Sequence, residues 1–332
     1  MDERKTYLFG RSAYEWYVHN PYFPEVLQGS GCNTIDSCAP TCSDAESLQY
    51  DMPFLTSPLH VTVANKNDTR RFENLITHWS QNKPIRFTIA KAYRDLYIPT
   101  PIVALIQVAQ SATNLELYDM ISHLCSSFYI TSGIDTSLER RRDSLTLKKI
   151  ERFCKLYSSR KGARKLLNAT RHAFENAASP KEIELALKLT LPSKLGGLCV
   201  PRPLLNYKIE LLENTKNLTD SSYYVADACW PNEKILLEYD SDMAHLTSDQ
   251  KNHDEIKRRT LEAQGYRIFV VTRKQLSSIA QMENTARLIL KAMGKQFRHR
   301  SKNFGAASNE LYEFYKRKTR ESAMRHIQQQ AF

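Results

Sequence analysis

A chain of 332 residues, 42% hydrophobic and 25% charged, exceeds one ordinary core and reads as two globular domains or more. Its formal net charge of +11 and pI near 9.2 point to a polyanionic partner, nucleic acid most simply, although ribosomal or anionic-membrane contact fits the charge as well. The start, MDERKTYLF, is charged, and the best apolar run, around Ile102 to Ala109, is too short to cross a bilayer, so a soluble cytoplasmic protein is expected.

Seven cysteines, an odd number, suit reduced thiols. Cys32, Cys38 and Cys42 cluster in a polar stretch, but only Cys38 and Cys42 approach zinc-ligand spacing, and His19 and His60 are in no motif with them. Loop cysteines are expected there. Short strand-like runs, LHVTVA and IRFTIA, alternate with helical ones, TPIVALIQVAQSA and NLELYDMISHLCSSF. Thr100 stands as the cap of the first of these helices and Pro101 fills its first turn. Residues 1–138 therefore predict an accessory α+β domain.

From Glu139 to His172 the chain is basic and helical, with Arg140, Arg141 and Arg142 followed by Lys148, Lys149, Arg152 and Lys155. Such a run is a solvated helix face or a phosphate-binding surface, with Phe153, Tyr157 and Phe174 as its buried stripe. Next, Ser179, Pro180 and Glu182 predict a capping box, and Pro192, Gly196 and Gly197 end that helix.

The stretch YYVADACWPNEKILLEYDSDMAH predicts a β-hairpin: Tyr223 to Val225 enter one strand, Ile235 to Leu237 open the next, and Pro231, Asn232 and Glu233 supply the turn. A turn centred between Asn232 and Glu233 sets Asp227 opposite Glu238 and Val225 opposite Asp240. Period-two alternation then puts Asp227, Glu238 and Asp240 on one face. Like charges across a ladder repel, so the acids either form the wet side of the ribbon or surround a cation, of which a divalent metal is the simplest. A calcium loop from Asp240 and Asp242 fails, because Ala244 and His245 stand where a ligand and a glycine are required. A polar helix ending at Gly265 and an apolar strand from Tyr266 to Val271 follow.

Residues 179–276 resemble the nuclease-like domains related to very-short-patch-repair endonucleases, in the PD-(D/E)XK superfamily. The likeness rests on Ser179, Pro180 and Glu182, then Asp227 with Trp230 and Pro231, then Glu238, Tyr239, Asp240 and His245, and finally Asp254, Leu261, Gly265, Tyr266 and RIFVVT. It implies a restriction-endonuclease-like mixed sheet flanked by helices. It also implies hydrolysis of DNA phosphodiester bonds assisted by Mg²⁺ or Mn²⁺, with Asp227 and Glu238 as first metal ligands and Glu182 as a further acid. Asp240 belongs to the same catalytic group, and His245 is the candidate general base or transition-state donor. Asp254 and Lys257 orient the site or pair with each other on their helix. The chain departs from the pattern in three places: Asp240 stands where the superfamily has lysine, Ser241 where relatives have glycine, and Lys257 where they have arginine.

The expected organisation is α/β: the N-terminal domain (1–138), a basic helical connector (139–175), the nuclease-like domain (176–280) and a basic helical extension (281–332). The leading expectation is a metal-dependent DNA endonuclease, with Arg140, Arg141 and Arg142 binding nucleic acid. Its rival is a non-catalytic nucleic-acid-binding regulator or antitoxin-like protein that keeps the nuclease fold. A basic RNA-binding protein is a third reading.

Overall fold

The structure, a computed structural model, describes residues 5–24, 35, 39–79, 88–132, 136–219, 221–240, 248–297 and 301–330. Mixed α/β in class, the chain divides into two compact units, residues 1–173 with 325–332, and residues 174–324. Among the described residues no helix is long and apolar enough to cross a membrane.

In the first unit, β1 (Thr6–Tyr7) runs parallel to β5 (Leu96–Pro99), and β4 (Ile89–Tyr93) runs antiparallel to it. Of the predicted strand IRFTIA only the last two residues belong to β4, and residues 85–87 lie outside the described ones. LHVTVA gives β2 (Leu59–Thr62), paired in parallel with β3 (Leu75–His78). A short pair, β6 (Phe128–Ile130) and β7 (Leu138–Arg140), completes the strands. Helices α1 (Gly10–Val18), α2 (Cys42–Asp51), α3 (Pro101–Val108), α4 (Asn114–Leu124), α5 (Leu147–Leu156) and α6 (Ala163–Ala169) accompany them.

Pro101 does occupy the first turn of α3, but Thr100 makes no side-chain cap bond. Complete capping boxes stand instead at the starts of α2, where Thr41 and Asp44 exchange bonds, and of α4, where Thr113 and Glu116 do. On α5 the buried residues are Ile150 and Cys154, whereas the predicted Phe153 and Tyr157 are half-buried and pack on each other at 4.6 Å. Lys148, Lys149, Arg152 and Lys155 are exposed, as a solvated helix face requires.

The second unit is built on a four-stranded sheet, and its elements follow one another in sequence. After α7 (Pro180–Thr190) come β8 (Leu204–Glu210), β9 (Tyr223–Trp230), β10 (Ile235–Asp240), α8 (Ser248–Ala263) and β11 (Arg267–Thr272), in spatial order β11-β10-β9-β8. The β10-α8-β11 segment is a parallel crossover, the connection for which two parallel strands need an intervening helix. Strand β8, with its alternating LLNYKIE, escaped the sequence reading. Val270 on β11 is 49% exposed, so this apolar strand is an edge and not the centre of the sheet. Ile209, Leu211, Tyr224, Ala226, Cys229 and Leu236 form a core cluster with Leu261 of α8, and α7 packs on β9 and β10.

Three more helices, α9 (Arg273–Leu276), α10 (Ile279–Ala292) and α11 (Phe304–Gln330), end the chain. Phe304, Leu311, Phe314 and Tyr315 of α11 are buried, so the basic C-terminal helix has an apolar side as well. Gly196 closes the turn after α7 with φ of 84°, and a Cβ there would collide with the Ala307 carbonyl.

Candidate active site

The hairpin forms with the predicted register: Ile235 pairs with Trp230, Leu236 with Cys229 and Leu237 with Ala228. Its turn needs Lys234 at φ of 51°, and Lys234 N–H donates to the Pro231 carbonyl at 3.2 Å. One step further the ladder stops. Where Asp227 and Glu238 would pair next, the backbone N–H of Tyr239 donates to Asp227 Oδ2 at 2.7 Å. A side chain thus takes over from the main chain, and β10 continues on β11 alone beyond Leu237.

Strand β8 has its own irregularity at the same level. Leu205 pairs with Ala228 and Tyr207 with Ala226, which leaves Asn206 across from Asp227 in left-handed backbone, φ 46°. Strict alternation would set Ala226 and Cys229 on opposite faces, yet both lie in one core cluster. The regular pleat expected from the sequence is therefore interrupted at Asp227, and period two alone does not determine where its carboxylate goes.

Glu182, on the first turn of α7, comes to this interruption. Ser179 Oγ accepts from the Glu182 N–H at 3.2 Å and donates to Glu182 Oε1 at 2.9 Å. The second arm of the predicted capping box is displaced: Glu182 Oε2 accepts from Ala178 N–H at 2.7 Å and from Asn206 Nδ2 at 2.6 Å. Asn206 also donates to the Asn176 carbonyl at 2.9 Å, so it ties the helix start to the sheet. Both Glu182 oxygens are occupied. The sequence signal for Asn206 is slight, a lone asparagine in a strand, the residue that tolerates left-handed backbone best after glycine.

The three carboxylates act on one another. Burial, then the Asp227 charge, pushes Glu182 up to about 7. Burial likewise pushes Glu238 up to about 7; Lys257 works against it, and Asp227 and Glu182 add to it. Asp227 is raised by burial, against the Tyr239 N–H and Lys257. Lys257, on α8, donates to Glu238 Oε1 at 3.1 Å and to the Val225 carbonyl at 3.0 Å. Its partner is Glu238 and not Asp254, which is exposed. Asp240 is half-buried at the end of β10, and His245, at residues 241–247, lies outside the described residues.

Among the described residues no group of three or more His, Cys, Asp or Glu side chains is placed to hold a metal ion. Two carboxylates nevertheless suit Mg²⁺, which keeps several waters and commonly takes only one or two protein oxygens. Asp227 Oδ1 and Glu238 Oε2 accept no hydrogen bond among the described residues. Three carboxylates share one ammonium, and burial holds their protons on more firmly; a divalent cation between Asp227 and Glu238 would favour their ionised forms. Asp227 and Glu238 each keep an oxygen open to such an ion, and Glu182 stands beside them with both oxygens in hydrogen bonds. Cys42 is the first residue of α2, and Cys32 and Cys38 lie outside the described residues.

The arginine triplet is split by the fold. Arg140 and Arg142 are exposed, but Arg141 is 6% exposed and its guanidinium donates to the carbonyls of Phe128, Tyr17 and Asn20 at 3.0, 2.7 and 3.0 Å. Burial lowers its pKa to about 10. A guanidinium committed to three internal carbonyls is a structural strut, so the expectation that Arg141 binds nucleic acid is corrected.

No family model, curated protein or solved structure matches this chain.

Proposed function

We propose that the second unit is a restriction-endonuclease-like domain of the very-short-patch-repair type that hydrolyses phosphodiester bonds in DNA with Mg²⁺ or Mn²⁺. The observation that carries this reading is the gathering of three acids at the break in the β9–β10 ladder: Asp227 accepts from Tyr239 N–H, Glu238 from Lys257, and Glu182 from Asn206 on the adjacent strand. Stability alone gives little reason to gather three half-buried or buried acids at a break in a β-ladder, since each raises the cost of ionising the others.

Asp227 and Glu238 would hold the cation. Bound there, it would lower the pKa of a water and stabilise charge on the phosphoryl oxygens. Lys257 supplies the positive charge that Asp240 cannot supply two residues beyond Glu238, and the ion pair keeps its Nζ beside the acids. Glu182, with its pKa near neutrality, holds or releases a proton at the edge of the site. Asn206 fixes that carboxylate against the sheet.

One observation favours the rival: the Lys257–Glu238 pair partly neutralises the acids without any metal, as a non-catalytic DNA-binding scaffold would need. The deciding experiment is purified protein on supercoiled plasmid with Mg²⁺, Mn²⁺ or EDTA, beside Asp227→Ala and Glu238→Ala. Metal-dependent nicking lost in both variants supports hydrolysis. DNA binding with no cleavage under any metal, and no metal uptake by calorimetry, leaves the scaffold.

A further inference from the structure

The first unit gathers a second set of titratable groups, unrelated to the acids. His60 Nδ1 and His78 Nε2 are 2.8 Å apart, and the two rings stack at 5.1 Å. His60 lies on β2 opposite Ile76 of β3, and Arg71 forms an antiparallel bridge with that same Ile76. Side chains in one row of a sheet share a face, and so do residues two apart on a strand. Arg71, His60 and His78 therefore rise from one face. Arg11 arrives from the first turn of α1, between two residues that touch the pair: Phe9 stacks on His78 at 4.1 Å, and Ser12 Oγ accepts from His60 N–H at 2.9 Å.

Bonded imidazoles share one proton, so the neutral pair presents one donor and one acceptor outward, through His60 Nε2 and His78 Nδ1. Neither outward nitrogen has a hydrogen bond among the described residues. Arg71 is exposed and makes no hydrogen bond or ion pair among them. Arg11 is held by Glu116 at 2.9 Å. The first turn of α1 carries no acid, and its positive dipole end adds to the two guanidinium groups. A metal cation would meet repulsion here. A tetrahedral oxyanion would meet donors on several sides.

We propose that His60, His78, Arg11 and Arg71 form a phosphate-binding site on the first unit, which takes free phosphate or the terminal phosphate of a nucleic acid. Independent support comes from the titration of the pair. Burial and then the surrounding positive groups lower both imidazoles: Arg11 and Arg71 act on His60, and His60 and Arg71 bring His78 to about 4. Of the nearby acids, Glu116 pairs with Arg11 itself, which an anion would have to share, Glu15 accepts from Thr56, Asp68 accepts from Asn65, and Glu73 stands two residues from Arg71. An anion would reverse this balance and draw a third ring proton onto the pair, making it cationic.

Sulfate is the first probe, because its charge stays constant over the working range. Calorimetry on the full chain should show sulfate binding that tightens from pH 8 to pH 5 with proton uptake. Arg71→Gln, an exposed change that spares the fold, should weaken it by about tenfold or more, the worth of one charge-assisted hydrogen bond, and His78→Asn should abolish the pH dependence. Inorganic phosphate, a 5′-phosphorylated oligonucleotide and its unphosphorylated twin then separate the two sources. Tighter binding of the phosphorylated strand assigns the site to nucleic-acid ends, and equal competition by free phosphate assigns it to the free anion. Sulfate and phosphate binding that is absent, or unchanged in Arg71→Gln, overturns the proposal and leaves the histidines as a strand-pinning pair; so does Zn²⁺ uptake without anion binding.

Discussion

At the scale of single residues, Glu182 and Lys257 decide how the acidic site behaves. An acid whose folded pKa lies above its unfolded value binds its proton more tightly when folded. Its stabilising share is complete below the unfolded pKa and is lost as pH rises through the folded one. For Glu182 that window runs from about 4.5 to about 7. Glu182→Gln should therefore stabilise the protein at pH 8 by on the order of 1 kcal/mol and change little at pH 4, in urea melts at the two pH values. The glutamine keeps an acceptor for Ala178 N–H, so a loss of stability at pH 8 with none at pH 4 would contradict this and show that the ionised carboxylate is needed. Lys257→Met separates the two functional readings differently. If the lysine serves catalysis, cleavage should fall by about 10² to 10³ while Mn²⁺ binds as well or better, because one positive competitor is gone. Weaker metal binding would contradict that role.

Between residues and the whole molecule, the elements show where local rules were bent. Helix α7 begins with the expected serine and proline, but its glutamate bonds one residue further back and reaches Asn206 on β8. The turn after α7 relies on Gly196, whose positive φ and contact with the Ala307 backbone leave no space for a side chain. Gly196→Ala should cost about 2 to 4 kcal/mol through strain and displacement of α11, measurable as a lower denaturation midpoint. The matching change at Gly294, also at positive φ but with nothing within 4 Å, should cost only about 1 kcal/mol. Equal losses at both sites would mean that φ alone, and not packing against α11, sets the cost.

For the molecule as a whole the question is what its net charge of +11 serves. If it serves DNA, affinity should fall steeply with salt, with a log–log slope of about −0.9 per phosphate neutralised. Arg140→Gln with Arg142→Gln should flatten that slope by up to about two contacts without unfolding the chain, since both are exposed. Arg141→Ala is the contrasting control: three carbonyls lose their donor, and stability should drop by about 2 to 4 kcal/mol. Binding that is insensitive to salt would assign the charge to another partner.

By itself the sequence determined what short-range chemistry governs. Pro180 and Ser179 start a helix, Pro231 and Asn232 turn a hairpin, and the spacing around that turn sets its register. The acids on the two strands were legible as residues, but the face of Asp227 was not, because the ladder stops at Leu237 and Ala228. Long-range contacts decided the rest. Glu182 joins Asp227 because α7 packs on β9 and β10, and Lys257 turns to Glu238 because the α8 crossover lays that helix beside β11. Arg141 looked like its two neighbours, yet only the packing of its segment brings three carbonyls around it and buries it. His60 and His78 are 18 positions apart with no shared motif, and they meet because parallel pairing of β2 and β3 puts them on one face. A side chain's periodicity is written locally, but its partner is chosen by the fold, since the energy of a buried charge depends on what tertiary packing places within a few ångströms of it.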